Sequence, residues 1–180
     1  MFEWRIDDDL ALRQWEQHHA EAMFALTSTN REHLRPWLGW VDDESTIDDT
    51  RDFIRMSQQQ SADNSSWSVG IWYRGALAGT VAHHRIKHVH RSVALGYWLG
   101  AAFEGKSIMT RACRVFIGET FATLGLNRVE IRAATGNTHS QRVAERLGFT
   151  REGHIRDAEW LYDHYVDHYV YGMLARDWQA

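Results

Sequence analysis

The chain has 180 residues, 44% hydrophobic and 24% charged, with a net charge of −4 and a single cysteine, Cys113. That length suits one domain around one core, read over residues 1–180, and no apolar run is long enough to span a bilayer. The weak negative balance gives no basic field for nucleic acid, one cysteine makes no internal disulfide, and the start Met1-Phe-Glu-Trp-Arg-Ile-Asp7 lacks a secretory pattern, so the expectation is a cytoplasmic protein with neither nucleic-acid nor membrane partners.

Leu10 to Trp15 alternates apolar and polar residues and predicts a half-buried strand. Ala22, Met23, Leu26 and Leu34 follow at helical spacing up to Pro36, which predicts one broken helix. Ser45 or Thr46 caps a second helix through Asp49, Phe53, Ile54 and Met56, and the polar run Gln58 to Ser66 reads as a loop. Trp67, Val69, Ile71 and Tyr73 alternate along a strand, Arg74-Gly75 offers a tight turn, and Leu77 to His84 returns as the second arm of a hairpin. His88 to Arg91 connects to a third strand, Val93 to Leu99.

From Lys106 onward Ile108, Ala112 and Val115 repeat at helical spacing until Leu124-Gly125, with Gly118 weakening the helix by about 1 kcal/mol relative to alanine. Arg128 to Ala133 is a short strand, Ser140 to Leu147 a helix stopped by Gly148, and Phe149 onward is extended. Tyr165, Tyr169 and Tyr171 alternate along a last strand. A meander of strands followed by strand–helix–strand–helix–strand–strand predicts an α/β (α+β) fold on a mixed sheet.

Gly96 to Cys113 thus reads as an aromatic strand, a glycine-bearing loop and a helix opening directly from it. Unpartnered N–H groups at such a helix start, at the positive end of its dipole, converge on an anion. Other clusters carry less chemistry. His83, His84, His88 and His90 have no closed-site spacing and no cysteine beside them, so no metal is expected and the imidazoles belong to an exposed hairpin connection. His164 and His168, beside Asp163 and Asp167, read as packing and hydrogen-bonding residues of a strand. Cys113 lies inside the predicted helix with no adjacent histidine, as a small buried residue rather than a nucleophile. The nine tryptophans are too dispersed for a base-stacking platform and are assigned to core and pocket walls.

Several blocks in order resemble the GCN5-related N-acetyltransferases, and within them the ribosomal-protein-alanine/serine branch: Arg31-Glu-His-Leu-Arg-Pro-Trp-Leu38, Gly96-Tyr-Trp-Leu99, Gly105-Lys106 with Ile108-Met-Thr110, Leu126-Asn-Arg-Val-Glu-Ile-Arg132, Asn137 to Phe149, and Asp167-His-Tyr-Val-Tyr171. The resemblance implies a mixed sheet splayed near its middle and flanked by helices, with acetyl-CoA lying between Val93–Leu99 and Arg128–Ala133. It implies that backbone of Tyr97, Trp98 and Leu99 pairs with the pantetheine amides, that the N–H groups of Gly105, Lys106, Ser107, Ile108 and Met109 hold the pyrophosphate, and that Asn137 reaches the cofactor. Trp37 and Trp40 fall in the region that covers the acceptor.

Two positions depart from the family loop, which carries Gln or Arg where Glu104 stands and glycine where Ser107 stands. Serine brings a Cβ but also a hydroxyl donor. A carboxylate beside pyrophosphate costs about 1–4 kcal/mol unless it turns outward or finds a partner, for which Arg111 is a candidate.

Acetyl transfer to an amine needs a base, a stabilised oxyanion and a proton for the thiolate. The resemblance implies Glu159, in Arg156-Asp-Ala-Glu-Trp-Leu161, as base; Glu130, along the second cofactor strand, is a reserve base, Ser140, one helical turn after Asn137, can place its hydroxyl near the cofactor sulfur, and backbone N–H groups of Tyr97 to Leu99 serve the oxyanion. An α-amine titrates near pH 8 and a lysine near 10.4, so an N-terminus is easier to deprotonate at pH 7 by roughly 3 kcal/mol. The expected acceptor is a protein N-terminal amine of the ribosomal-protein type, with a small amine as the alternative and a non-catalytic acyl-CoA sensor as another; a homodimer is expected from the same branch.

Overall fold

The first half of the chain builds an antiparallel meander. In the computed structural model, which describes residues 3–179 and leaves Met1, Phe2 and Ala180 outside the described residues, β1 (Glu3–Arg5), β2 (Leu10–Gln14), β3 (Ser68–Tyr73), β4 (Ala76–His83) and β5 (Ser92–Leu99) pair in that order. The second half supplies β6 (Arg128–Ala134), parallel to β5, and the long hairpin β7 (Thr150–Leu161) and β8 (His164–Leu174), with β8 against β6. The result is the expected mixed sheet, eight strands in the order β1-β2-β3-β4-β5-β6-β8-β7.

Alternation of side chains gives the sheet two different faces. Val93 and Leu95 of β5 and Val129, Ile131 and Ala133 of β6 pack against α4 (Ile108–Ala122) and α5 (Thr138–Arg146) in the larger core, through Ala112, Phe116, Val143 and Ala144. On the opposite face Trp98 joins Trp15, Met23, Ile54 and Leu77 beneath α1 (Ala20–Thr29) and α3 (Ile47–Ala62).

The parallel pairing is short. β5 meets β6 only from Ser92↔Arg128 to Leu95↔Ile131, while β5 continues along β4 to Leu99 and β6 along β8 to Ala134. The strands part after Leu95 and Ile131, at the middle of the sheet. On the far side of β5, Gly79 lets β4 come close: a Cβ there would lie 2.1 Å from the Trp98 carbonyl oxygen.

The structure departs from several expectations. Leu10, Ala11 and Leu12 are all buried rather than alternating, because α4 covers one face of β2 and β1 extends the sheet beyond it. The break in the first helix falls at Asn30, which separates α1 from α2 (Arg31–Leu34) and uses its amide to bond the Leu26 carbonyl and the Ala101 N–H. Residues read as the loop Gln58 to Ser66 continue α3 as far as Ala62, because Ser57 is buried and Gln58 donates to the Trp15 carbonyl, a tertiary anchor that local polarity conceals. His83 is not an exposed imidazole: it is buried between Trp67 and Phe116, bonded to the Thr120 hydroxyl, and burial pushes its pKa down to about 3. His84, His88 and His90 are exposed, and no metal-holding cluster occurs among the described residues.

Thr46, not Ser45, caps α3, exchanging hydrogen bonds with Asp49. Just before it, Glu44 has a buried carboxylate oxygen without a hydrogen-bond partner; burial, helped by the Asp49 charge and opposed by Arg31, raises its pKa from 4.5 to about 7.

Two outcomes follow. Gly79→Ala forces a methyl into the β5 backbone and should cost about 3 kcal/mol, lowering the melting temperature by roughly 6–12 °C; a loss under 2 °C would mean that β4 and β5 are not held so closely. Because the native chain holds the Glu44 proton more tightly than the unfolded chain, stability should fall as pH rises through the window from 4.5 to about 7. Glu44→Gln should therefore flatten that fall, raising the melting temperature more at pH 8 than at pH 4.

Candidate functional site

Past the point of separation, Gly96 to Leu99 and Arg132 to Ala134 form two lips of an opening in the sheet. A single turn, Ala101–Phe103, carries β5 into the exposed loop Glu104–Ser107, and α4 starts directly after it. Gly105 (φ 74°) and Ser107 (φ 56°) are both left-handed. Glycine adopts that conformation freely, whereas serine does so at about 1–2 kcal/mol. The family's glycine therefore answers a backbone requirement that Ser107 also meets. Its hydroxyl makes no capping bond, so the N–H groups of Ile108, Met109 and Thr110 have no partner within the helix and face the loop, while the Ile108 and Met109 side chains are buried and anchor them. The Lys106 ammonium curls back to the Ala102 carbonyl.

Arg111 does not pair with Glu104. It points from the first turn of α4 to Asp7 in the β1–β2 turn, where Asp7 also accepts from the Asp9 and Leu10 N–H groups. Glu104 turns instead between two imidazoles, His33 of α2 at 3.4 Å and His139 of α5 at 3.7 Å. The carboxylate thus ties its own loop, α2 and α5 together beside the start of α4.

On the α4–α5 face, Asn137 caps α5 by accepting the Ser140 N–H with its side-chain oxygen, leaving its amide nitrogen unengaged. The Ser140 hydroxyl donates to the Tyr97 hydroxyl at 3.1 Å, and Tyr97 donates to the Ser140 carbonyl at 3.1 Å. Burial raises the Tyr97 pKa, so the phenol keeps its proton. The resemblance implies a role for the Tyr97 backbone alone; parity with core-facing Leu95 is the signal in the sequence for the phenol. Cys113 is fully buried inside α4, its thiol pushed up by burial and directed to the Met109 sulfur, which leaves no thiolate to attack an acyl group.

Glu159 occupies the opposite face. Its Oε2 lies 3.2 Å from His168 Nε2, and its Oε1 is 3.7 Å from where a Cβ on Gly39 would stand. The segment around Gly39 is clamped to the β7–β8 turn: Tyr162 donates to the Leu38 carbonyl at 2.7 Å and Arg35 lies 3.9 Å over the Tyr162 ring. Within the segment, Trp40 packs on Trp98 at 6.0 Å between ring centroids. Trp37 stands at the edge of an open cleft of about 500 Å³, whose other walls include Ala134, Tyr165, Val166 and Asp167. Glu130 is bound by Arg128 at 3.0 Å and Arg132 at 2.7 Å; partial burial would raise its pKa, but the two arginines outweigh it and hold the carboxylate below its ordinary value. That makes it a poor proton acceptor.

The profile of the acetyltransferase (GNAT) domain matches residues 9–150. Over all of its length the chain is 36% identical to YdaF of Bacillus subtilis, provisionally named a ribosomal N-acetyltransferase, and covers 99% of it. It is 25% identical to the ribosomal-protein-serine acetyltransferase of Escherichia coli, across 94% of this chain and 95% of that one. Among solved structures, the microcin C7 self-immunity acetyltransferase MccE in complex with acetyl-CoA and AMP superposes with a TM-score of 0.89 at 29% identity, covering 94% of each chain.

Glu104→Gln should tighten binding of coenzyme A, the ligand the resemblance implies, by about fivefold at low salt and less at high salt, since one carboxylate near a pyrophosphate is removed. Calorimetry that finds equal affinity at low salt would mean that His33 and His139 already neutralise the carboxylate.

Proposed function

The chain belongs to the GNAT acetyltransferase family, and we propose that it transfers acetyl from acetyl-CoA directly to the α-amine of a protein N-terminus of the ribosomal-protein type. The observation that carries the cofactor half of this reading is the parting of β5 and β6 after Leu95 and Ile131, with the free N–H groups of α4 at its mouth. Backbone groups of Tyr97 and Leu99, which face the side that β6 leaves, pair with the pantetheine amides, and Gly105 to Met109 cradle the pyrophosphate; the Trp98 carbonyl, expected there too, points instead to Gly79 of β4. Asn137 adds its free amide nitrogen from the start of α5.

In this reading the acceptor comes from the opposite face, beneath the segment around Gly39. Glu159 takes the amine proton as nitrogen attacks the thioester carbonyl, backbone N–H groups of Tyr97 and Leu99 stabilise the oxyanion, and as the C–S bond breaks the thiolate accepts a hydrogen bond from the Ser140 hydroxyl and takes its proton from solvent. Direct transfer is supported by the burial of Cys113. The peptide acceptor is supported by the cleft: it is open, flanked by exposed Trp37 and Tyr165, and its one carboxylate, Asp167, is already bonded by His154 and the Asp157 N–H. A polyamine calls for several free carboxylates in a closed pocket. The likeness to MccE, whose structure holds AMP beside acetyl-CoA, supports a small-molecule amine as the second reading.

The same reading places the enzyme in the cytoplasm as one domain, and as a homodimer; β7 ends the sheet with residues 150–157 exposed, an edge open to a second copy. No helix among the described residues is long and apolar enough to cross a membrane.

A thiol-release assay with acetyl-CoA separates the acceptors. Peptides with free N-terminal serine or alanine should turn over, their N-blocked forms should not, and spermidine should be poor; preference for small amines over every peptide would favour the second reading. Glu159→Ala should lower kcat/KM by about 10²–10⁴ while coenzyme A affinity holds. Activity within a few-fold of wild type would remove Glu159 as the base.

A further inference from the structure

We propose that His168 is a positioning residue for Glu159: it holds one carboxylate oxygen so that the other faces the acceptor amine. This rests on the reading of Glu159 as the base. The register of the β7–β8 hairpin brings the two side chains together. Ile155 stands opposite His168 and Glu159 opposite Val166, so four steps along β7 match two along β8. An unbroken antiparallel ladder would place Asp157 opposite Val166. The two surplus residues form a bulge, in which Asp157 is left-handed at φ 48°.

The bulge is pinned. The Asp157 N–H donates to Asp167 Oδ1 at 2.8 Å, and His154 Nε2 lies 2.8 Å from Asp167 Oδ2. Those two contacts, the backbone bond first, hold the Asp167 carboxyl below its usual range, so the anchor stays ionised. As a consequence Glu159 takes the place that a regular strand would give to Asp157, on the same face as His168.

The two side chains differ in freedom. His168 is only 13% exposed, whereas Glu159 is 41% exposed. A largely buried imidazole with Nε2 3.2 Å from Oε2 fixes an acid that would otherwise sample several rotamers at the surface. Oε1 is left toward Gly39, on the segment that covers the acceptor side. A base held in one orientation avoids the rate loss that small misplacements bring.

The test uses four variants of the full chain, His168→Gln, His168→Leu, Glu159→Gln and the double variant Glu159→Gln with His168→Leu, with melting temperature and acetyl-CoA KM as controls for folding and cofactor binding. His168→Gln retains an N–H donor and should keep kcat within about threefold of wild type, whereas His168→Leu removes the donor and should lower kcat about tenfold with acetyl-CoA KM unchanged. In a Glu159→Gln background, His168→Leu should have no further effect, since residues that act through one another are not additive. Equal losses in the Gln and Leu variants, no loss in His168→Leu, or a further tenfold drop in the Glu159→Gln background would each overturn the proposal while leaving Glu159 as the base. Wild-type activity in Glu159→Gln alone would overturn both.

Discussion

Two neighbouring parallel strands that stop pairing halfway along their length create the site. After Leu95 and Ile131 each strand keeps its outer partner, β4 for β5 and β8 for β6, so both stay rigid while their facing backbone groups lose each other. Unpaired backbone donors and acceptors inside a sheet must find partners, and in the proposed function an extended ligand with its own amides supplies them. Gly79 is the counterpart of this opening, since it lets β4 press close behind the very segment of β5 that is exposed on its other edge.

Side-chain alternation then divides the chemistry between the faces. The odd-numbered residues of β5 direct Tyr97 to α5 and its serine, beside the α4 helix start; the even-numbered ones direct Trp98 to Trp40 in the segment around Gly39. Along β8 the same parity sends Tyr171 into the large core and His168 toward Glu159. Glu104 links the two halves, because its histidine partners come from α2 on one side and α5 on the other.

Much of this is legible in the residues themselves. The hydrophobic periods, the cap at Thr46, the turn at Arg74-Gly75 and the loop before Ile108 carry local signals, and the mixed sheet follows from their order. What stays hidden depends on distant contacts. The extension of α3 to Ala62 rests on Gln58 reaching Trp15, and the neutrality of His83 rests on Trp67, Phe116 and Thr120 enclosing it. The partners of Glu104 lie far away along the chain, so proximity to Arg111 in sequence misleads. The β7 bulge is hidden for another reason: alternation in Arg151 to Leu161 does not reveal where the register slips, and only the bonds to Asp167 show which residue faces His168.

The most direct test of the account is a backbone amide NMR titration of the protein with coenzyme A. If the ligand fills the gap between the parted strands, the largest shift changes should fall at Gly96 to Leu99, Gly105 to Thr110 and Asn137, with the paired segment Ser92 to Leu95 changing little. Saturating coenzyme A that leaves those amides unmoved while shifting residues elsewhere would contradict it.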